Sequence, residues 1–286
     1  MVALHARKSA AAIVAFRHAH PDRPIVLCLT GTDLYTDLPA KNEEPIQSLD
    51  LADRIVVLQD RAMDDLRPTW RRKARTILQS AAPLANPPSK SARSFDVCVI
   101  GHLREEKDPL RAAFALSHIP ADSRIRVRQA GGVYEERWAK EAQAIMKAEP
   151  RYRWLGELSS GAARQVLARS RIMVISSRLE GGANVVSEAI VVGTPILASR
   201  IPGNVGLLGE NYPGYFHVGD DAALAELMLR AERDPGFLRR LENACDALQP
   251  LFRPDRELDA WAHLIDEASG RHPADAGNEK ERPGRR

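Results

Sequence analysis

"RIMVISSRLEGGANVVSEAIVVGTPILAS", residues 171–199, reads as a strand, a glycine turn, a helix and a second strand. The runs 172–176 and 195–198 are short, apolar and β-prone, and the pattern between them has helical period. The turn "RLEGGA" leads into a helix expected to start near Asn184, whose side chain can cap its free amides. That places the Gly182, Ala183 and Asn184 amides at the carboxyl edge of a parallel sheet, where the helix dipole favours an anion such as phosphate. Glycine at 181 and 182 allows close backbone approach. Glu180 on the loop and Glu188 on the first helical turn flank the same spot. Carboxylates repel phosphate, so their partners are hydroxyl groups. A ligand combining phosphate with ribose and sugar hydroxyls suits the whole set. The alternative is that Glu180 caps its own loop and Glu188 is an exposed helix residue, as most glutamates are.

The same alternation of short strands and helices extends in both directions, the signature of parallel sheets with crossover helices. Downstream of residue 94 the strands are 95–100, 125–129, 152–155, 172–176, 195–198 and 215–217, a complete doubly wound sheet. Upstream they are 2–5, 25–30, 54–58 and 76–78. The stretch 79–94, rich in Pro, Ser and Ala, interrupts the pattern as a linker does. The expected organisation is a partial Rossmann-like domain over 1–80, a linker over 81–94, a second Rossmann-like domain over 95–269 and a disordered tail over 270–286. A chain of 286 residues exceeds what one core usually organises, in keeping with two domains.

Two further clusters carry chemistry. In "GHLREEKDPLRAA", His102, Arg104 and Lys107 gather between a strand and a helix, where charge-assisted bonds to a diphosphate are available. Lys107 is also readable as a solvated lysine paired with Glu105 or Glu106. In the first domain "ALHARKSAAAI" runs from strand into helix, offering His5, Arg7, Lys8 and Ser9 as a second anion site by the same helix-start logic. "LCLTGTDLYTDL" brings Thr30, Thr32 and Asp33 to the same rim. His5 can equally be a hydrogen-bonded histidine at a sheet end, and Asp33 a turn former.

Composition narrows the classes. A net charge of +3 argues against a nucleic-acid partner. The widely spaced Cys28, Cys98 and Cys245 read as buried, reduced thiols of a cytoplasmic protein. No apolar run approaches the roughly 20 residues of a membrane span, so no integral membrane association is expected.

The run from Glu180 to Glu188, the following "GTPILAS" and the upstream "GHLREEK" together resemble the carboxyl-terminal half of a retaining GT-B glycosyltransferase of glycosyltransferase family 4. More narrowly, "LTGTDLY", "GHLREEKDPLRAA", "SSRLEGGANVVSEA" and "ASRIPGNVGLLGENYPGYF" are similar to the selenosugar synthases of selenoneine biosynthesis, over about residues 2–265. The resemblance implies two Rossmann-like domains facing a cleft. It implies transfer from a UDP-sugar, UDP-N-acetylglucosamine or a close relative, to selenophosphate or another small anionic acceptor, with no metal and no cofactor beyond the UDP-sugar substrate. In that reading Glu188 grips the donor ribose, Glu180 the donor sugar, and the Gly182, Ala183 and Asn184 amides the sugar and diphosphate. Lys107, with His102 and Arg104, meets the leaving diphosphate. His5, Arg7, Lys8, Thr32 and Asp33 form the acceptor side, and Glu180, Lys107 and His5 are the catalytic candidates. Two positions depart from the family pattern: His102 stands where arginine is usual, with Arg104 able to replace the missing charge, and Thr30 stands where histidine is usual, a change that suits an acceptor that needs no deprotonating base. The resemblance also implies that roughly 60 amino-terminal residues are absent, leaving the first sheet short by about two strands. The competing functions are a family 4 transferase for another small-molecule or cell-envelope acceptor, and a nucleotide-sugar-binding protein without turnover.

Overall fold

The apolar runs of the first 78 residues pair into a four-stranded parallel sheet: Val2–Leu4 (β1), Val26–Cys28 (β2), Arg54–Val57 (β3) and Ala74–Thr76 (β4). This computed structural model describes residues 1–270, so the tail assigned to 270–286 lies outside the described residues beyond Gly270. The strands follow one another across the sheet in chain order. Right-handed crossovers laid down in a single direction put their helices on one face. That face is covered by Ala10–Ala19 (α1), Glu43–Leu51 (α2) and Pro68–Arg72 (α3), whose Ile13, Leu49 and Trp70 bury against Ala3, Leu27 and Ile55.

The opposite face carries Val26, Cys28, Val56 and Ile77, and needs a cover from elsewhere in the chain. The C-terminal helix Pro254–Ser269 supplies it, with Leu264, Ala260, Trp261 and Ala268 against those residues. Its Glu267 receives Arg75 at 2.6 Å and Arg54 at 3.3 Å. The described residues therefore divide into Met1–Leu78 together with those from Asp255 to Gly270, and Gln79–Pro254. This corrects the assignment of 95–269 to one domain: residues 255–269 are amphipathic, and the apolar surface they bury against belongs to the first sheet. The stretch 81–94 is likewise strapped to the second unit. Ala81 donates its N–H to the Phe252 carbonyl at 3.1 Å, Lys90 Nζ donates to the Gly193 carbonyl at 3.0 Å, and Arg171 donates to the Ser91 carbonyl at 3.0 Å.

The second unit holds a six-stranded parallel sheet: Phe95–Ile100 (β5), Ile125–Ala130 (β6), Tyr152–Trp154 (β7), Ile172–Ile175 (β8), Ile196–Ser199 (β9) and Tyr215–Phe216 (β10). Its order is β10-β9-β8-β5-β6-β7, so the winding reverses between β5 and β8. The helices are Arg111–Ala115 (α4), Glu136–Ala148 (α5), Ser160–Arg169 (α6), Asn184–Val191 (α7), Pro202–Leu208 (α8), Asp221–Arg233 (α9) and Pro235–Leu248 (α10); the C-terminal helix is α11. All three cysteines are buried and free. Burial pushes the Cys28 and Cys245 thiols up to about 11 and Cys98 to about 12, so none is a thiolate nucleophile near neutrality. No helix among the described residues is long and apolar enough to cross a membrane.

Candidate active site

Where a doubly wound sheet reverses direction, the loops leaving the two central strands part and open a crevice at the carboxyl edge. Here those strands are β5 and β8, and their loops carry "GHLREEK" and "SSRLEGGA". Lys107 and Glu180, 73 residues apart in sequence, meet at 2.5 Å. Lys107 therefore pairs with neither Glu105 nor Glu106. Glu180 is 7% exposed and accepts a second bond, at 2.6 Å, from Ser177 Oγ on the same oxygen, Oε1. Behind it runs a buried polar chain: Ser199 Oγ donates to the Ser177 carbonyl at 2.6 Å, and Asn204 donates to Ser199 Oγ at 3.2 Å. Gly203 lets α8 touch this loop, since a Cβ there would lie 2.1 Å from the Glu180 carbonyl oxygen. On the lysine side, Ser176 Oγ donates to the Asp108 carbonyl at 2.9 Å, and the Asp108 carboxylate holds Arg111 at 2.9 and 3.2 Å. Both partners of the ion pair are thus fixed from behind.

Helix α7 opens this crevice's second wall. Its N-cap is Ala183, which has no side-chain acceptor, so the sequence expectation of an Asn184 cap is corrected: Asn184 is the first helical residue and exposed. The reason is local. The turn ends one residue earlier, and the Asn184 side chain bonds forward within the helix, to Glu188 at 3.4 Å and Ser187 at 3.4 Å. An alanine cap leaves the opening amides of the helix to a ligand or solvent. Glu188 is the fifth helical residue and so lies on the second turn, not the first. Burial raises its carboxyl above the ordinary value, with Arg164 opposing the shift.

His102 borders two cavities. One of about 20 Å³ reaches Lys107, Ser177 and Glu180. The other, about 150 Å³, is lined by Gly101, Gly131, Gly132, Glu157 and Leu158 with His102. Arg104 pairs with Glu106 at 3.2 Å, both half exposed.

In the first unit, β1 and β2 end beside one another, and their loops bring His5 onto Asp33. His5 Nδ1 lies 2.7 Å from Asp33 Oδ1, with the aspartate fully buried. Asp33 Oδ2 accepts from the Thr30 amide at 2.8 Å and the Thr30 hydroxyl at 2.9 Å. His5 has φ 70°, a left-handed backbone that costs a non-glycine residue about 1–2 kcal/mol. Asp33 was expected on the acceptor side or as a turn former; at 0% exposure its carboxylate closes its own turn through Thr30 and lies beside His5. Arg7 turns onto the buried Asp37 at 3.2 Å. The second anion site at the start of α1 is also corrected. The Ser9 and Ala10 amides donate to the His5 and Arg7 carbonyls, and the Arg7 amide points at Asp33 at 3.5 Å. What this rim offers an anion is side chains: Arg7 and Lys8 are exposed, and Thr32 is half-buried.

His5, Asp33 and Asp37 each offer one ligand atom within 4.8 Å of the others, a spacing that could hold a metal ion. Arg7, Asn42 and Thr30 already donate to those two carboxylates, so a cation there has to compete with them. The sequence reading missed Ser176, Ser177, Asp108, Ser199, Asn204 and Gly203. Two serines closing an apolar strand, and "PGN" opening a helix, were the available signals.

Residues 85–246, more than half of the chain, match the family described as Glycosyl transferases group 1. No curated protein matches the chain. Among solved structures, HepE of Anabaena in complex with UDP and glucose superposes with TM-score 0.76 at 17% identity, over 91% of this chain and 76% of that one. Sucrose-phosphate synthase of Thermosynechococcus elongatus gives TM-score 0.76 at 17% identity, covering 93% and 72%. The UDP-forming α,α-trehalose-phosphate synthase of Burkholderia vietnamiensis gives 0.77 at 12% identity, covering 93% and 74%. Likeness at this level of identity shows the fold, two parallel α/β sheets of the GT-B kind.

Proposed function

The chain belongs to the group 1 glycosyl transferases, and from that membership we propose that it transfers a sugar from a UDP-sugar to a small anionic acceptor. The observation that carries this reading is the Lys107–Glu180 pair, set at the switch point beside a helix start with no side-chain cap. Lys107, with Arg104 and the amides of Gly182, Ala183 and Asn184, supplies the positive charge that a leaving diphosphate needs as it develops. Glu188 accepts from ribose hydroxyls. Glu180, whose Oε2 is not engaged by the described residues, accepts from the donor sugar. The larger cavity beside His102 takes the nucleobase. UDP as the nucleotide is supported by the ligands named for HepE.

The finer proposal is a selenosugar synthase of selenoneine biosynthesis, using UDP-N-acetylglucosamine and selenophosphate. It rests on the residue runs that resemble those enzymes and on Arg7 and Lys8 beside His5. In the step proposed, the bond from sugar C1 to the diphosphate oxygen breaks, UDP leaves with the electron pair, and the selenium anion forms the new bond to C1. One observation favours a second reading, transfer to a hydroxyl acceptor. His5 Nδ1 lies 2.7 Å from the buried Asp33 carboxylate, and an imidazole set beside a carboxylate serves an acceptor that must be deprotonated. Anaerobic incubation of the chain with UDP-N-acetylglucosamine and selenophosphate, followed by mass spectrometry, tests the choice. A selenosugar together with UDP is the expected result. UDP release that requires a hydroxyl acceptor and ignores selenophosphate selects the second reading.

A further inference from the structure

Tyr134 is a large aromatic residue left 71% exposed on the loop that follows β6. Its position is set by backbone. Gly101 donates its N–H to the Ala130 carbonyl at 2.9 Å, Leu103 donates to the Gly132 carbonyl at 2.9 Å, and Leu103 and Val133 form a parallel bridge. The approach is so close that a Cβ on Gly131 would lie 1.9 Å from the Gly101 oxygen. The Tyr134 loop is therefore fastened to the loop that carries His102 and Arg104.

Three consequences follow for the side chain. The Tyr134 and His102 rings meet edge to face, with centroids 5.2 Å apart and planes at 61°. Arg104 Cζ lies 5.9 Å from the Tyr134 ring. The cavity of about 150 Å³ opens beside His102, and Gly132 keeps it open, because a Cβ there would stand 3.1 Å from Glu157 Oε2 and 3.3 Å from His102 Nδ1. That His102 nitrogen is buried and lacks a hydrogen-bond partner. An exposed aromatic face, an open cavity and an unmatched polar atom form a corner suited to a flat heterocycle with polar edges.

We propose that Tyr134 is a specificity-determining residue whose exposed face stacks on the nucleobase of the donor at the mouth of this cavity. The proposal rests on the reading of the donor as a UDP-sugar. It separates two tasks within one loop pair: Arg104 and Lys107 answer the diphosphate, and Tyr134 answers the base.

Calorimetric titration of the full chain with UDP, uridine and inorganic pyrophosphate tests it, on the wild type, Tyr134→Ala and Tyr134→Phe. Loss of a stacking face is expected to weaken UDP and uridine by about tenfold each in Tyr134→Ala, with pyrophosphate unchanged. Tyr134→Phe is expected to bind as the wild type does. Unaltered UDP affinity in Tyr134→Ala would overturn the proposal. So would an equal loss for pyrophosphate, which would mean that Tyr134 acts through Arg104. A wild-type chain that binds none of the three ligands would instead overturn the donor reading beneath it.

Discussion

The two sheets of this chain are built from the same βαβ step and differ in how it is repeated. In the second unit the winding reverses between β5 and β8, which covers both faces with crossover helices and opens a crevice where the two central loops part. In the first unit all four strands advance in one direction, so one face is left for α11 to cover. Val2 and Leu4, in register with Val26 and Cys28 on that face, remain 53% and 65% exposed at the edge strand. Chemistry follows the winding. The second unit gathers its charged residues from loops 73 residues apart, while the first builds its His5–Asp33 pair from two consecutive strand ends.

Removing one member of the switch-point pair has the largest expected effect. Lys107→Met leaves Glu180 buried with only Ser177 to answer it. The expected cost is about 3 kcal/mol, the low end for a broken buried pair because the Lys107 side chain is 25% exposed. Urea unfolding of the variant against Lys107→Met/Glu180→Gln checks it, the double variant recovering most of the loss. Equal stability of single and double variants would mean that the pair carries no coupling. Next in size is Leu264→Ala, which thins the cover on the first sheet's second face. About 2 kcal/mol is expected, low for a buried leucine because a terminal helix can settle into the gap. The loss belongs to the first unit, so fluorescence-monitored unfolding should show one transition moving and the other fixed.

The smallest effect concerns α7. Burial raises the Glu188 carboxyl, so the folded chain keeps this proton to higher pH than the unfolded chain does. The stability contributed is fully present below the unfolded value of about 4.3 and is lost as pH rises through the higher folded value. Glu188→Gln is therefore expected to exceed the wild type in stability at pH 7 and to lose that advantage near pH 4, measured by urea midpoints at the two pH values.

Much of the second unit was legible because its signals are contiguous. The strands β5–β10 were visible as short apolar runs between turns, read as 95–100, 125–129, 152–155, 172–176, 195–198 and 215–217. The glycine turn before α7 and the lysine after β5 mark the crevice in the sequence itself. Misreadings arose where a partner decides the role. Asn184 has the chemistry of a cap, yet Ala183 holds the cap position. Asp33 could be read as an acceptor-side acid or a turn former, and its burial and its bonds from Thr30 make it the turn former. Ser177, Ser199 and Asn204 are ordinary letters until a shared carboxylate gives them a direction.

The repeated βαβ pattern, the places where loops carry charge and membership of the group 1 family are fixed locally, because apolar period, turn residues and short motifs are written in neighbouring positions. That Lys107 answers Glu180, that α11 returns to the first sheet and that Tyr134 stands beside His102 emerge only on folding. Those are pairings between distant segments. They are settled by which apolar face is left uncovered and which buried charge is left unmatched once the sheets have formed.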